Sequence, residues 1–306
     1  MTLKRAIAAI AVFAVQFACV SEGALALPAK KIVTLQPSSD WNIEFGPDRC
    51  RLSRLFGTKE EPHIVYFEQA GPSARFALTM AGKELRIFEQ HFNHLSMNPG
   101  DGYPRVDHYW GEIRGIGPAV TVLEHDISED LVSETEAVES YDSMELPAID
   151  LDEAAKIDRI FYGHKGTAIA FETGNLSAPF QALNSCTSDF LRAWGLDQDQ
   201  HAKFKSLPVL QNERDIDRSV KKLYPSMARL RGAQAIIRLV AIVEADGSMS
   251  DCWLQNATEG ARFKSPACKV MQDAEFAPAL DVNGEPMRSY FVKTLNYQII
   301  PANAHG

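Results

Sequence analysis

Residues 235–256 read AIIRLVAIVEADGSMSDCWLQN, and this stretch decides the fold of the C-terminal third of the chain. Its first nine residues, Ala235 to Val243, are an almost unbroken apolar run rich in β-branched side chains. Such a run is the pattern of a strand covered on both faces, since a strand with one wet face alternates instead. Asp246-Gly247 follows, and these residues tolerate the positive φ that a tight two-residue hairpin loop requires. Met249 to Asn256 then predicts the returning strand, with Cys252 and Leu254 on one face.

The flanks read as helices that would cover this hairpin. Upstream, Ile216, Val220 and Leu223 recur at helical spacing until Tyr224-Pro225 breaks the helix, and a shorter one runs on to Arg231-Gly232. Downstream, Ser265 caps a helix whose first turn accommodates Pro266, with Ala267, Val270, Met271 and Ala274 as its apolar stripe. Phe276-Ala277-Pro278-Ala279 and the turn Asn283-Gly284 lead into a long strand predicted from Met287 to about Ile300. Residues 212–306 therefore read as a small two-layer α/β domain with an antiparallel sheet.

The ordered set Tyr224-Pro225, Ala228, Gly232, the strand to Val243, Asp246-Gly247, Gly260, Ala267, Phe276, Pro278, Ala279, Gly284 and Pro286 resembles the C-terminal domain of the TonB family of energy-transducing envelope proteins, over about residues 212–300. Phe263-Lys264 stands where the family has a Leu-Asp pair, and the cysteines of this segment are an addition. The resemblance implies a domain that docks an extended peptide of an outer-membrane receptor by adding a strand to its sheet, while an N-terminal helix in the inner membrane connects to a motor. Strand addition exploits the unpaired N–H and C=O groups of an edge. The candidate edge here is the last strand, in which Phe291, Lys293, Leu295 and Tyr297 alternate with Val292, Asn296 and Gln298. Lys293 is the sort of charge that discourages such pairing.

At the other end, Lys4 and Arg5 precede the apolar run Ala6 to Val20, and Ala24-Leu25-Ala26 offers a cleavage site. That is a secretory signal peptide over residues 1–26, so the mature chain is expected in the periplasm with no membrane span. Lipid modification at Cys19 is disfavoured because Val15-Gln16-Phe17-Ala18 lacks the aliphatic residue expected three before such a cysteine. Beyond the signal four cysteines remain, an even number in an exported chain. Proximity pairs Cys252 with Cys268 and leaves Cys50 with Cys186; the spacing is wrong for zinc.

Residues 27–195 read as a β-rich domain closed by a helix, and 196–211 as a linker. Trp41, Ile43 and Phe45 alternate, as do Phe76, Leu78 and Met80, and Ala81-Gly82-Lys83 is expected to turn the latter into a partner strand at Leu85 to Phe88. After the strand-like Thr167 to Phe171, Asn175 or Ser177 can cap a helix that buries Phe180, Leu183, Leu191 and Trp194 and stops at Gly195. The fold class is thus α+β. From Gly115 to Ala155 there is no Lys or Arg, while acidic residues accumulate from Glu124 through Glu139 to Glu153. The C-terminal part, by contrast, carries Arg214, Arg218, Lys221, Lys222, Arg229, Arg231 and Arg238, which are expected to meet that acidic run or an anionic partner.

The chain has 306 residues, 45% of them hydrophobic, and a net charge of -9, enough apolar content for two cores and too acidic for a general nucleic-acid binder. Phosphate loops, dinucleotide fingerprints and serine nucleophile elbows are missing. The function expected is therefore non-enzymatic, without metal or cofactor: a periplasmic binding or accessory module of TonB-dependent transport, partnered by an envelope protein or receptor peptide. The alternative is a metal-assisted hydrolase built on His91, His94, His108 and His125 among Asp101, Asp107, Glu112 and Asp126.

Overall fold

The computed structural model describes residues 31–297, apart from 47–48, 90, 92, 98–105, 107, 128–143, 227–229, 231–234 and 257–264. The protein is α+β and strand-rich, and its sheets are antiparallel except for one parallel pair. A six-stranded sheet has the order β2-β3-β4-β5-β8-β7, formed by Asn42–Phe45 (β2), Cys50–Gly57 (β3), Pro62–Gln69 (β4), Phe76–Ala81 (β5), His108–Ile113 (β7) and Gly117–His125 (β8). A four-stranded sheet packs beside it in the order β1-β11-β10-β6, where β1 is Lys31–Leu35, β6 His94–Ser96, β10 Ile160–His164 and β11 Thr167–Phe171. The parallel pair is β1 with β11.

Helix α1 (Leu151–Lys156) is capped by the Asp150 carboxylate, which accepts from the N–H groups of Asp152 and Glu153. Helix α2 (Ser177–Ala193) begins where the Asn175 side chain accepts from the Ser177 N–H. It lays Phe180, Leu183, Cys186 and Phe190 onto β3, β4 and β5, with the Phe180 ring 4.8 Å from Phe67 and 5.4 Å from Phe76. Burying such side chains stabilises by roughly 1.5–3 kcal/mol each.

The C-terminal segment has its own apolar core. Ala235–Val243 (β14) is the middle of a three-stranded sheet in the order β15-β14-β19, with Met249–Asn256 (β15) and Ser289–Tyr297 (β19) on its flanks. All nine residues of β14 are buried. Ala235, Ile237, Leu239, Ala241 and Val243 join Ile216 and Val220 of α4 (Glu213–Lys222) and Ala267 and Val270 of α5 (Ala267–Val270) in one cluster. The second face of β14 meets the six-stranded sheet through Arg238, which faces Glu68 of β4, while Ile242 packs with Trp194 at the end of α2 and with Tyr290, Val292 and Trp253 of the neighbouring strands.

Two local expectations are corrected, and the segment read as a linker has structure of its own. Leu85–Phe88 is not a strand: Lys83–Phe88 forms a 3₁₀ helix, and its buried residues Leu85 and Phe88 are three apart, the period of that helix. The hairpin loop after β14 holds three residues. Glu244 N–H donates to the Ser248 carbonyl (2.8 Å) and Gly247 N–H to the Glu244 carbonyl (2.9 Å), with Gly247 at φ +83°. A type I turn closed by a left-handed glycine matches strand twist where a plain two-residue turn with Asp246 would need both residues at positive φ. Lastly, residues 196–211 are structured. They hold α3 (Gln198–Ala202), Lys203–Ser206 (β12) and Val209–Leu210 (β13). Strand β12 bridges Met144–Glu145 (β9) to Ala279–Asp281 (β17), which also pairs with Pro286–Met287 (β18), while β13 pairs with Phe276–Ala277 (β16).

His201 ties this bridge to β19. Its Nδ1 lies 2.6 Å from the Asp197 carbonyl and its Nε2 2.9 Å from Ser289 Oγ. A neutral ring satisfies both, donating from Nδ1 and accepting at Nε2. Burial pushes its pKa below the ordinary value, outweighing the Asp197 contacts. The unfolded chain then takes up a proton near pH 6.5 that the folded chain resists, so stability is full above that value and falls as pH drops below it. The midpoint of urea unfolding should decline from pH 7.5 to pH 5.5, and the decline should be smaller in His201→Gln; equal declines would refute the assignment.

Candidate functional site

Strand β19 is paired along its whole length with β14, from Ser289 opposite Val243 to Tyr297 opposite Ala235. Among the described residues no strand pairs with its other side, so it is an edge of the three-stranded sheet. Its side chains alternate between two anchored faces. Phe291, Lys293, Leu295 and Tyr297 point to the helical layer: Phe291 meets the Phe276 ring at 5.1 Å, and the Lys293 ammonium bonds Glu213 and lies 3.3 Å from Asp217, both on α4. Leu295 is buried, and the Tyr297 hydroxyl is 2.7 Å from Ser265 Oγ.

Ser289 bonds His201, and the remaining four turn toward the six-stranded sheet and its loops. The Tyr290 hydroxyl donates to the Pro72 carbonyl at 3.1 Å, and burial pushes its pKa up, so it stays a donor. Val292 packs near Trp194, Thr294 donates to Glu124, and Asn296 Nδ2 donates to the Tyr109 hydroxyl at 2.7 Å. Among the described residues, what β19 leaves unengaged is therefore the outer border of its backbone. Lys293 does not project from the edge as a guard, because its charge is drawn onto α4.

Just before β19, Arg288 Nε donates to Glu244 at 2.9 Å and its Nη1 to the Gly195 carbonyl at 2.8 Å, linking the hairpin to the end of α2. The Ser250 hydroxyl, then Arg288, hold the Glu244 carboxyl below the usual carboxylate range.

The cysteines form Cys50–Cys186, joining β3 to α2 with Cα atoms 6.0 Å apart, and Cys252–Cys268, joining β15 to α5 at 5.7 Å. Of the histidines of the hydrolase alternative, three lie around β10: His94 of β6 pairs opposite Gly163, His91 is beside His164, and His108 is 6.1 Å from the Tyr162 ring. His91 stacks on His164 at 4.7 Å, His108 Nδ1 sits 3.1 Å from the Val106 carbonyl, and His125 lies edge-on to Phe76. Among the described residues no three His, Cys, Asp or Glu side chains gather as metal ligands. Asp101, Asp107 and the middle of the acidic run lie outside the described residues, as do Arg229 and Arg231. Arg238 lies in β14 and faces Glu68 of β4, an acidic residue outside that run. Sequence reading placed Trp194 on its helix and Val292 on the last strand without their role in joining the two parts, and it did not single out Tyr290 or Glu68; the charged Arg238 inside an apolar run was the one available signal.

An antiparallel sheet with helices on one face and, among the described residues, an unpaired strand at its border makes this segment a small α+β domain. Residues 220–299, which contain β14, β15 and β19, match the family model of the Gram-negative bacterial TonB protein C-terminal, which places this segment in the TonB C-terminal domain family. That family is one of non-enzymatic energy-transducing and binding domains, and its members interact with outer-membrane proteins. The chain matches no curated protein. Among the described residues no helix is long and apolar enough to cross a membrane.

Proposed function

We propose that this chain, a TonB-like protein of envelope transport, is a periplasmic binding or accessory module that docks an extended partner peptide by strand addition at β19. In this reading residues 1–26 are a cleaved signal, 27–195 and 212–306 are two domains, and 196–211 ties them together. The observation that carries it is β19 itself, an edge strand inside the family match whose side chains are held on the two faces while its border is unpaired among the described residues. A fixed template favours strand addition because little conformational entropy is lost on the receiving side. The test is capture from an envelope extract by the chain from residue 27, followed by hydrogen exchange on the complex. Slowed exchange in 289–297 is the expected result. Capture that leaves those amides unchanged removes strand addition at this edge.

A further inference from the structure

Arg238 is the one charged residue of β14, and it is 4% exposed. It faces Glu68, 2% exposed, with Nη1 4.0 Å from Oε2. Glu68 is already held by others: Arg51 brings Nε and Nη2 each to 3.0 Å of Oε1, and Arg49 Nε stands at 3.7 Å. Three guanidinium groups thus converge on one buried carboxylate, and Arg51 is also 4.0 Å from Glu44, so it is Arg238 whose charge lacks a close counter-ion. A buried charge normally has a close hydrogen-bonded counter-ion, yet neither Nη of Arg238 makes a hydrogen bond. Gln255, directly across from it on β15 and 1% exposed, has neither amide atom bonded, and Gln69 Oε1 is also unsatisfied.

Arg238, Glu68 and Gln69 line a cleft of about 320 Å³ between the two sheets, walled by Phe76, Leu207 and Tyr290. That volume lies within the range of small-ligand sites. We propose that the cleft binds a carboxylate-bearing ligand with a compact apolar body, its two oxygens accepting from the two Nη of Arg238. The unbonded guanidinium of Arg238 selects an anion. The fork geometry fits a planar carboxylate, the nearby Glu68 and Glu124 disfavour a dianion such as phosphate, and the aromatic wall receives hydrocarbon. The two Nη atoms are covered in the present arrangement, so binding swings the arginine head toward the cleft.

Calorimetric titration of the disulfide-bonded chain from residue 27 tests this with phenylacetate, an acetylated Phe-Leu dipeptide acid, the same dipeptide as its C-terminal amide, and inorganic phosphate. At least one of the two acids should bind saturably, the amide and phosphate should bind more weakly, and Arg238→Met should weaken the acid by about tenfold or more. Preference for phenylacetate assigns a free organic acid; preference for the dipeptide acid assigns a peptide carboxyl terminus. Should the Met variant fail to fold, Arg238→Lys keeps the charge, loses the fork, and should still bind the acid more weakly. No saturable acid binding, equal binding of the amide, tighter binding of phosphate, or undiminished binding by the arginine variants would overturn the proposal.

Discussion

Replacing both Cys50 and Cys186 by Ser should lower stability by about 5 kcal/mol, while the same change at Cys252 and Cys268 should cost about 3 kcal/mol, on the loop-entropy estimate. The difference follows from the chain lengths enclosed, because the first bond spans 136 residues and the second 16. Every strand of the six-stranded sheet from β3 onward lies inside the longer loop, so its reduction frees that whole stretch in the unfolded state. Against a typical total of roughly 5–15 kcal/mol, a loss of this size leaves the larger core marginal. Urea unfolding of the two double variants and the parent measures it. If the shorter bond proves as costly as the longer, chain entropy is not what these disulfides contribute.

What was legible in the sequence was whatever depends on neighbours close along the chain. The run from Ala235 to Val243 announces a strand buried on both faces, and β14 is one. Asn175 announces a helix start and provides it, and Ile216 and Val220 mark the buried side of α4. The failures share one cause. Leu85 to Phe88 satisfies a two-residue alternation as loosely as a three-residue one, and only the chain path after β5 decides between them. Residues 196–211 are polar and end in Pro208, yet β12 and β13 form because partners from 144–145 and 276–281 arrive to pair with them. No local pattern encodes those arrivals. The same holds for the site: alternation located β19, but which side each set of side chains takes depends on α4, Phe276 and the loop at Pro72.

The second face of β14 shows why the edge strand is well anchored. A sheet of three strands with helices on one side exposes its other side to water unless something covers it, and here Glu68, Glu124 and Tyr109 of the six-stranded sheet, the loop at Pro72 and Trp194 at the end of α2 do so. The cover reaches β19 at four successive alternate residues, Tyr290, Val292, Thr294 and Asn296. Any partner that adds a strand therefore meets an edge whose position is set by both cores, and loosening the contact between them should weaken docking without touching the edge itself.

Trp194 is where that contact is concentrated, so Trp194→Ala should lose about 3 kcal/mol, the lower end for a large aromatic because the indole is half-buried. Its ring stacks on Phe190 of α2 at 5.3 Å and meets Trp253 of β15 and Tyr290 of β19, each at 5.6 Å. Gly71 permits this approach, since a Cβ there would stand 3.0 Å from Trp194 Cη2 and 3.2 Å from Val292 Cγ2. Gly71→Ala should therefore destabilise the parent more than it destabilises Trp194→Ala, because the truncation removes the atom it strikes. The pair forms a double-mutant cycle read by urea unfolding, with hydrogen exchange over 289–297 as the second measurement. Faster exchange there in Trp194→Ala, with α2 amides near Phe180 unchanged, is the signature of a released edge. Additive losses together with unchanged exchange in β19 would mean that the indole merely fills space at the end of α2 and does not hold the two sheets together.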